Sequence, residues 1–277
     1  MRLYLLLVTL LALSLCGCGV KTQGRPVVAP AAPSQLENTA PAKVLITDRM
    51  LGLAVDSSGS PSKSQLEAMS PDLVAALRSH AERIDGVAVT RVANGNHPTL
   101  TERPEVFYWG RLDIPPYVEP NLENAPTDIR FFSDRRRRYL LEAKDKYERN
   151  KEELKREYYS RVDDQLSKLK LYLLQGPAEL APCTRFSSIA LRIERDAFPF
   201  QLLLSDGWAD CPDERGRRLA PAKITGKLVV LQLARERDNA HSDRNIRQRE
   251  TFLRDLFPGA SVLPGYSVSQ AVDLLFN

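Results

Sequence analysis

The stretch RMLGLAVDSSGS, residues 49–60, joins an apolar run to a group of small polar residues. Its first part is apolar at nearly every position, which is typical of parallel strands that are covered on both faces. Its second part places Asp56, Ser58 and Ser60 directly after the predicted strand. These residues either cap the backbone of an ordinary turn or supply oxygen ligands to a metal ion. Because a metal site of this kind needs ligands from several loops, the rest of the chain must decide between the two.

Strand and helix patterns alternate along the rest of the chain. Further strands are predicted at VAVTRVA (87–93), EVFYWGRL (105–112), AFPFQLLLSD (197–206), ITGKLVVLQLAR (224–235) and a short stretch near 261. Helices are predicted between them, including a new helix that starts at Ser70-Pro71-Asp72, where Ser is an N-cap and Pro suits the first turn. Gly86 is expected to end that helix. The strands at 87–93 and 105–112 are joined by a short polar link, which predicts an antiparallel hairpin at a sheet edge. The pattern therefore predicts an α/β fold: a Rossmann-like, doubly wound sheet with one antiparallel edge strand and helices on both faces.

A long charged segment interrupts this alternation. Residues 134–174 have helical periodicity, with a narrow apolar stripe formed by Leu140, Tyr147, Leu154, Tyr158, Val162, Leu166, Leu169 and Leu173. Such charge runs usually mark a solvated helix face. We therefore expect a helical insertion at about 120–175 that projects from the fold and can be deleted without unfolding it. A helical hairpin or a coiled-coil partner surface is the alternative.

The N-terminus predicts export and lipidation. In MRLYLLLVTLLALSLCGCG, residues 1–19, one charge precedes an apolar run that is shorter than the roughly 20 residues of a bilayer span. The run ends in a stretch that resembles the lipobox of bacterial lipoproteins, with Leu15 at −3, Gly17 at −1 and Cys18 as the acceptor. Cys16 at −2 is unusual, and a plain N-terminal membrane anchor is the alternative. The expected parts are a signal peptide (1–17), a Pro- and Ala-rich flexible tether (18–42) and a folded domain (43–277).

This N-terminus also predicts the compartment. The acyl chains on Cys18 would anchor the mature protein to a membrane of the cell envelope. The residue after Cys18 is Gly19 and not the Asp that commonly retains lipoproteins at the inner membrane. By resemblance to Gram-negative lipoproteins, we expect the outer membrane, facing the periplasm, if the organism has one.

Composition and short motifs exclude several function classes. The net charge is +4 for 277 residues, and removing residues 1–17 takes away only Arg2. This small excess, without an aromatic-plus-basic motif, does not favour nucleic-acid binding. The sequence contains no G-x-S-x-G elbow, P-loop or dinucleotide glycine pattern. His80, His97 and His241 lack metal-ligand spacing, and we expect all three at the surface.

Three separate motifs resemble the metal-ion-dependent adhesion site (MIDAS) of the von Willebrand factor type A (VWFA) family. The first is Asp56-Ser57-Ser58-Gly59-Ser60 after the first strand, the second is Thr184 in a loop before Ala190-Leu191, and the third is Ser205-Asp206-Gly207 after a later strand. The resemblance covers roughly residues 43–115 and 176–277. The spacing from Thr184 to Ala190 is one residue longer than usual, which leaves Ser187 and Ser188 as substitutes for Thr184. The long helical insertion is not part of the family's common core.

The resemblance implies a ligand set and a function. Ser58, Ser60 and Thr184 would contact Mg²⁺ or Mn²⁺ directly, while Asp56 and Asp206 would act mostly through water. Because hydroxyls do not neutralise the ion, the metal remains electrophilic and can take a Glu or Asp carboxylate from a protein partner. We therefore expect a lipid-anchored protein-binding module and not an enzyme. The alternatives are an α/β hydrolase-like or phosphatase-like enzyme that uses Asp56, and a metal-free structural VWFA domain.

The two cysteines of the expected domain lie beside two of these motifs. Cys183 immediately precedes Thr184, and Cys211 lies five residues after Asp206. If Thr184 and Asp206 serve one ion, their loops approach closely enough for a disulfide, and an exported chain permits oxidation. Closing this stretch of chain would stabilise the fold by about 3 kcal/mol in the chain-entropy model. Two reduced, buried thiols are the alternative.

Overall fold

The computed structural model describes residues 47–56, 63–92, 103–175, 183–209, 211–233 and 242–277. The chain divides into two units, Met1–Lys43 and Val44–Asn277, and every element below belongs to the second unit. A fragment that begins at residue 44 therefore keeps all the contacts described here. The predictions for the signal peptide, Cys18 and the tether concern residues 1–42, which lie outside the described residues.

The sheet has six strands and is mixed. The strands are β1 (Met50–Asp56), β2 (Gly86–Val92), β3 (Glu105–Tyr108), β4 (Phe200–Ser205), β5 (Lys227–Gln232) and β6 (Ser261–Pro264). Their order is β3-β2-β1-β4-β5-β6, and all neighbours are parallel except β2 and β3. The predicted α/β class and the antiparallel edge strand are confirmed. We call the side where the parallel strands end the carboxyl edge and the opposite side the amino edge.

Helices cover both faces of the sheet, as predicted. The described helices are α1 (Lys63–Ser79), α2 (Thr127–Phe131), α3 (Ser133–Gln175), α4 (Phe186–Asp196), α5 (Ser242–Leu256) and α6 (Val268–Phe276). One core lies between the sheet and α1, α3 and α6, and the other lies between the sheet and α4 and α5. Successive strand residues point to opposite faces, so that Leu202 and Leu204 belong to the first core and Leu203 to the second. None of the described helices contains an apolar stretch long enough to cross a bilayer.

Two sequence predictions near α1 are wrong. No new helix starts at Ser70, because α1 runs without interruption from Lys63 through Pro71 to Ser79. A short 3-10 turn, Ala81–Arg83, follows, and Gly86 starts β2 rather than ending a helix. The helix stays continuous through Pro71 because residues on both sides of the proline pack into the same core: Leu66 and Met69 before it, and Leu73 and Leu77 after it.

The long charged helix is part of the fold over its second half. Its stripe residues Tyr158, Val162, Leu166, Leu169 and Leu173 are buried in the first core. The Tyr158 hydroxyl donates a hydrogen bond of 2.5 Å to the carbonyl of Ala81. These contacts are at odds with the expectation that the whole insertion is a removable projection, since deleting 158–175 would expose core residues that α3 shares with α1 and α6.

The first half of α3 projects from the fold. Tyr158 lies beside Ala81 at the amino edge, whereas Tyr172 lies at the other end of β2, where its ring is 4.2 Å from the Arg91 guanidinium. Residues 133–157 therefore extend beyond the amino edge by roughly 37 Å, at 1.5 Å per residue. The segment that follows β3 runs alongside, and the Tyr147 hydroxyl donates to the carbonyl of Pro115 at 3.1 Å. We call residues 110–157 the arm.

The expectation that all three histidines lie at the surface is wrong for His80. Its side chain is only 14% exposed, and its Nε2 lies 2.8 Å from Asp273 Oδ1. The imidazole also packs against the ring of Phe276, with 4.8 Å between centroids. His80 thus joins the end of α1 to α6. His97 and His241 lie outside the described residues.

Candidate metal centre

Asp56 and Asp206 lie at the ends of two neighbouring strands at the centre of the carboxyl edge. Asp56 is the last residue of β1, and Asp206 directly follows β4, which is the neighbour of β1 in the sheet. From this pair of strands the chain continues in opposite directions, to β2 on one side and to β5 on the other. In open α/β sheets, ligands bind in the crevice at this point of reversal. Both carboxyl groups are fully buried.

Two hydroxyl groups converge on the Asp56 carboxylate. The Ser205 hydroxyl donates a hydrogen bond of 2.7 Å to Oδ2 of Asp56. The Thr184 hydroxyl donates from a third loop and lies 3.3 Å from Oδ1 and 3.4 Å from Oδ2. Thr184 and Ser205 are as inaccessible to solvent as the two aspartates. The structure therefore brings together Asp56 and Thr184, which the sequence proposes as ligands, and adds Ser205; Asp206 directly follows Ser205 in the chain.

Backbone amides fix the loop that carries Asp206. The Gly207 amide donates to the Ser205 hydroxyl at 3.1 Å, and the Trp208 amide donates to Oδ1 of Asp206 at 3.0 Å. Gly207 has φ +73°, a left-handed conformation that glycine adopts at no steric cost. This conformation lets the chain turn directly after Asp206, while the Ser205 hydroxyl stays within hydrogen-bond distance of Asp56.

The hydroxyl substitutes for Thr184 are placed elsewhere. Ser187 lies in the first turn of α4, and both its hydroxyl and its amide donate to Glu214 Oε1, the amide at 3.2 Å. Ser188 is buried one residue further along α4. Of these three residues, Thr184 is the one with a described hydrogen bond to Asp56. Ser58 and Ser60 lie in 57–62, outside the described residues, so their positions stay a prediction.

A disulfide holds the Thr184 loop against the segment that follows β4. Cys183 and Cys211 are bonded, with 4.9 Å between their Cα atoms and a sequence separation of 28. This is the pair that the sequence predicts. An ion pair lies next to it, with Arg185 Nη1 2.6 Å from Asp213 Oδ2. The loop that supplies Thr184 is thus cross-linked to the strand end that supplies Asp206.

Glu214 is a further support that sequence reasoning missed. Its side chain is buried, and its Oε2 accepts a hydrogen bond of 2.7 Å from the Phe186 amide, the first residue of α4. Amide groups in the first turn of a helix have no partner within the helix, and the helix dipole favours a negative charge there. Glu214 therefore fixes the start of α4 two residues after Thr184. Its only signal in the sequence is its proximity to Cys211.

A cavity of about 400 Å³ lies one strand away along the same edge. Leu233, at its margin, donates its amide to the carbonyl of Ser205 at 2.8 Å, so the cavity adjoins the candidate centre through β5. Its other walls include Met69 of α1, the buried Arg249 of α5 and Tyr266 after β6. The carboxyl edge thus offers a concave surface beside the carboxylates.

The donor chemistry of the centre fits a hard divalent cation. Carboxylate and hydroxyl oxygens are the ligands that Mg²⁺ and Mn²⁺ prefer. Within the part of the chain that the structure describes, no cluster of three or more His, Cys, Asp or Glu side chains is suited to a metal ion. A cation here would depend on hydroxyl ligands as well as carboxylates. Comparison with known proteins gives no match to any family model, curated protein or solved structure.

Proposed function

We propose that the chain is a lipid-anchored VWFA-like module that binds a protein partner through a Mg²⁺- or Mn²⁺-dependent adhesion site. The observation that carries the proposal is the approach of the Thr184 and Ser205 hydroxyls to the buried Asp56 carboxylate, next to Asp206. These groups come from three segments that are distant in the sequence. Their convergence at the point of strand reversal supports the resemblance on which the ligand set was proposed.

The proposed ligands divide into two kinds. Ser58, Ser60 and Thr184 would offer neutral hydroxyl oxygens. Asp56 and Asp206 would balance the charge of the ion from the side that faces the sheet. When bound, the ion supplies a Lewis-acidic position that a Glu or Asp carboxylate of the partner can occupy. The residues of this chain would orient the ion, with Ser58, Ser60 and Thr184 in direct contact and Asp56 and Asp206 acting mostly through water.

The geometry of the domain suits a tethered receptor. The chain enters β1 at the amino edge, through residues 47–49, and the candidate centre lies at the carboxyl edge. Residues 47–49 and the candidate centre therefore lie at opposite edges of the sheet.

Metal binding is the direct test. We expect calorimetry on the fragment 44–277 to show weak binding of Mg²⁺ or Mn²⁺, and Asp56→Asn to lower the affinity by at least about tenfold, because the variant loses a charge that faces the ion. Asp255→Asn is the matched control, since it makes the same chemical change on the exposed face of α5. Thr184→Ala is a second variant that keeps both carboxylates. Equal affinity in the wild type and Asp56→Asn would refute the metal site.

Partner binding is tested separately. A pull-down from detergent-solubilised envelope should retain a partner with Mg²⁺ and lose it with EDTA. Retention that is unchanged by EDTA and by Asp56→Asn would favour a metal-free structural domain. Turnover of ester or phosphate substrates that Asp56→Asn abolishes would favour the enzymatic alternative.

A further inference from the structure

The end of the arm carries aromatic side chains in solvent. Phe131 closes α2 and is 77% exposed, and Phe132, in the turn before α3, is 58% exposed. Val118 on the neighbouring extended segment is 78% exposed, and Leu141 on α3 is 52% exposed. Large apolar groups are seldom gathered on a surface that contacts only water, and such patches mark interaction sites.

Arginines surround these apolar groups. Arg130 precedes the two phenylalanines, and Arg135–Arg138 follow them. Arg135 pairs with Asp128 at 2.8 Å, and its guanidinium lies 5.3 Å from the centre of the Phe132 ring. Among the described residues, Arg136, Arg137 and Arg138 form no ion pair, and all three are exposed. We call Arg130–Phe132 together with Arg135–Arg138 the arm tip.

The arm tip lies on the side of the domain where the chain enters. The arm extends beyond the amino edge, and residues 47–49 lead into β1 at that edge. Arg49 contacts the backbone of this region, since its Nε donates to the carbonyl of Arg83 at 3.1 Å. The candidate metal centre lies at the opposite edge, so the arm tip and the metal centre face in opposite directions.

We propose that the arm tip docks on the surface of an anionic lipid bilayer. Phe131 and Phe132 would enter the boundary between headgroups and acyl chains, where aromatic side chains of interfacial segments reside. The arginines would bind lipid phosphates, for which the planar guanidinium is suited. The apolar and positively charged side chains of the arm tip suit a lipid surface whether or not Cys18 carries a lipid. The argument that a bilayer lies on this side rests on the proposed lipid anchor.

A lipid surface explains the composition better than an acidic protein does. Arginines that follow one another along a helix point around its axis, so the positive charge is spread around the end of α3 and not confined to one stripe. A planar array of headgroups can contact such a tip in many orientations. The aromatic pair lies in the turn at the far end of the arm, which is the part that a flat surface meets first.

Vesicle sedimentation of the fragment 44–277 in EDTA tests the proposal without the lipid anchor and without the metal site. We expect binding to phosphatidylcholine vesicles that contain phosphatidylglycerol, and weak binding to pure phosphatidylcholine. Replacing Arg136, Arg137 and Arg138 by Gln should lower the vesicle affinity roughly 100-fold at low salt. The variant Phe131→Ser/Phe132→Ser should lower it about tenfold or more, since both rings lose their apolar contact with lipid.

The matched control removes the same charge from another part of the arm. Lys146→Gln, Arg149→Gln and Arg156→Gln alter exposed residues of α3 that lie between the arm tip and the fold. We expect this control to keep most of the vesicle affinity, and circular dichroism should show equal helix content in all variants. Equal loss in the control and in the tip variants would overturn the proposal, as would the absence of binding to anionic vesicles. Binding to polyglutamate without binding to vesicles would identify the surface as a site for an acidic protein instead.

Discussion

The variant Glu214→Gln tests whether a buried carboxylate holds the start of α4 and the Thr184 loop. In the wild type, Glu214 accepts hydrogen bonds from the Phe186 amide at 2.7 Å and from the Ser187 amide at 3.2 Å, and also from the Ser187 hydroxyl. Glutamine keeps the shape of the side chain but has one acceptor oxygen and no charge. One buried amide group therefore faces an NH₂ group.

The expected loss follows from two contributions. A buried donor without its acceptor costs about 1–3 kcal/mol. The lost negative charge at the N-terminus of an 11-residue helix contributes about 0.3–1 kcal/mol more, or up to about 2 kcal/mol where the site is partly buried. Together these lower the free energy of unfolding by about 1–5 kcal/mol. We also expect weaker metal binding, because Thr184 lies two residues before Phe186.

Urea unfolding of the oxidised fragment 44–277 measures this loss as a shift of the midpoint at constant slope. Asp213→Asn is the control, since it removes the neighbouring charge from a carboxylate that is 49% exposed and pairs with Arg185. Exposed ion pairs contribute at most about 1 kcal/mol, so this control should shift the midpoint little. If both variants shift it equally, Glu214 does not support α4 in the way described.

Three further changes test other parts of the fold. Leu169→Ala should lower the free energy of unfolding by about 2–5 kcal/mol, because Leu169 is fully buried. Leu154→Ala on the arm should lower it by less than about 1 kcal/mol, and an equally small loss for Leu169→Ala would mean that the second half of α3 lies outside the core. Burial raises the pKa of Tyr158 to about 12 from its ordinary value of 10.0. The unfolded chain therefore ionises first, and stability should fall as the pH rises from about 10 to 12; Tyr158→Phe should flatten this fall in urea titrations at each pH. Replacing Cys183 and Cys211 by Ser should cost about 3–4 kcal/mol for a closed stretch of 28 residues, and thiol titration of denatured, unreduced protein should detect no free thiol in the wild type.

Part of the site was predictable because a parallel sheet places residues that are distant in the sequence at the same edge. Asp56 and Asp206 each follow an apolar strand, and parallel strands end at a common edge. Thr184 was proposed through the resemblance to the VWFA adhesion site, with Ser187 and Ser188 as substitutes, and not from its position in the chain alone. Ser205 was visible in the Ser205-Asp206-Gly207 motif, but only the structure shows its hydrogen bond to Asp56.

Other features depend on contacts that a local pattern does not encode. Glu214 acts on amides 27 and 28 residues away, and nothing near it in the sequence marks an α4 cap. For α3, the apolar stripe was read correctly, but the surrounding charges suggested a projection along its whole length. Whether a narrow apolar stripe is buried depends on whether another part of the fold packs against it. Among the stripe residues of α3, those from Tyr158 onwards pack into the first core. Pro71 similarly indicated a helix start, yet α1 is continuous, with Leu66 before the proline and Leu73 after it packed into the same core.

The order of the strands has a consequence for how the chain reaches its native state. β1 is synthesised early, but its central neighbour β4 follows much later, since Asp56 and Ser205 are 149 residues apart. Until then an almost wholly apolar strand can pair only with β2, and long-range pairing of this kind makes folding slow and exposes the chain to aggregation. The Cys183–Cys211 bond spans only 28 residues around β4, so it can close before β1 docks. The part of the candidate centre that carries Thr184, Ser205 and Asp206 can thus form as a cross-linked unit before Asp56 joins it.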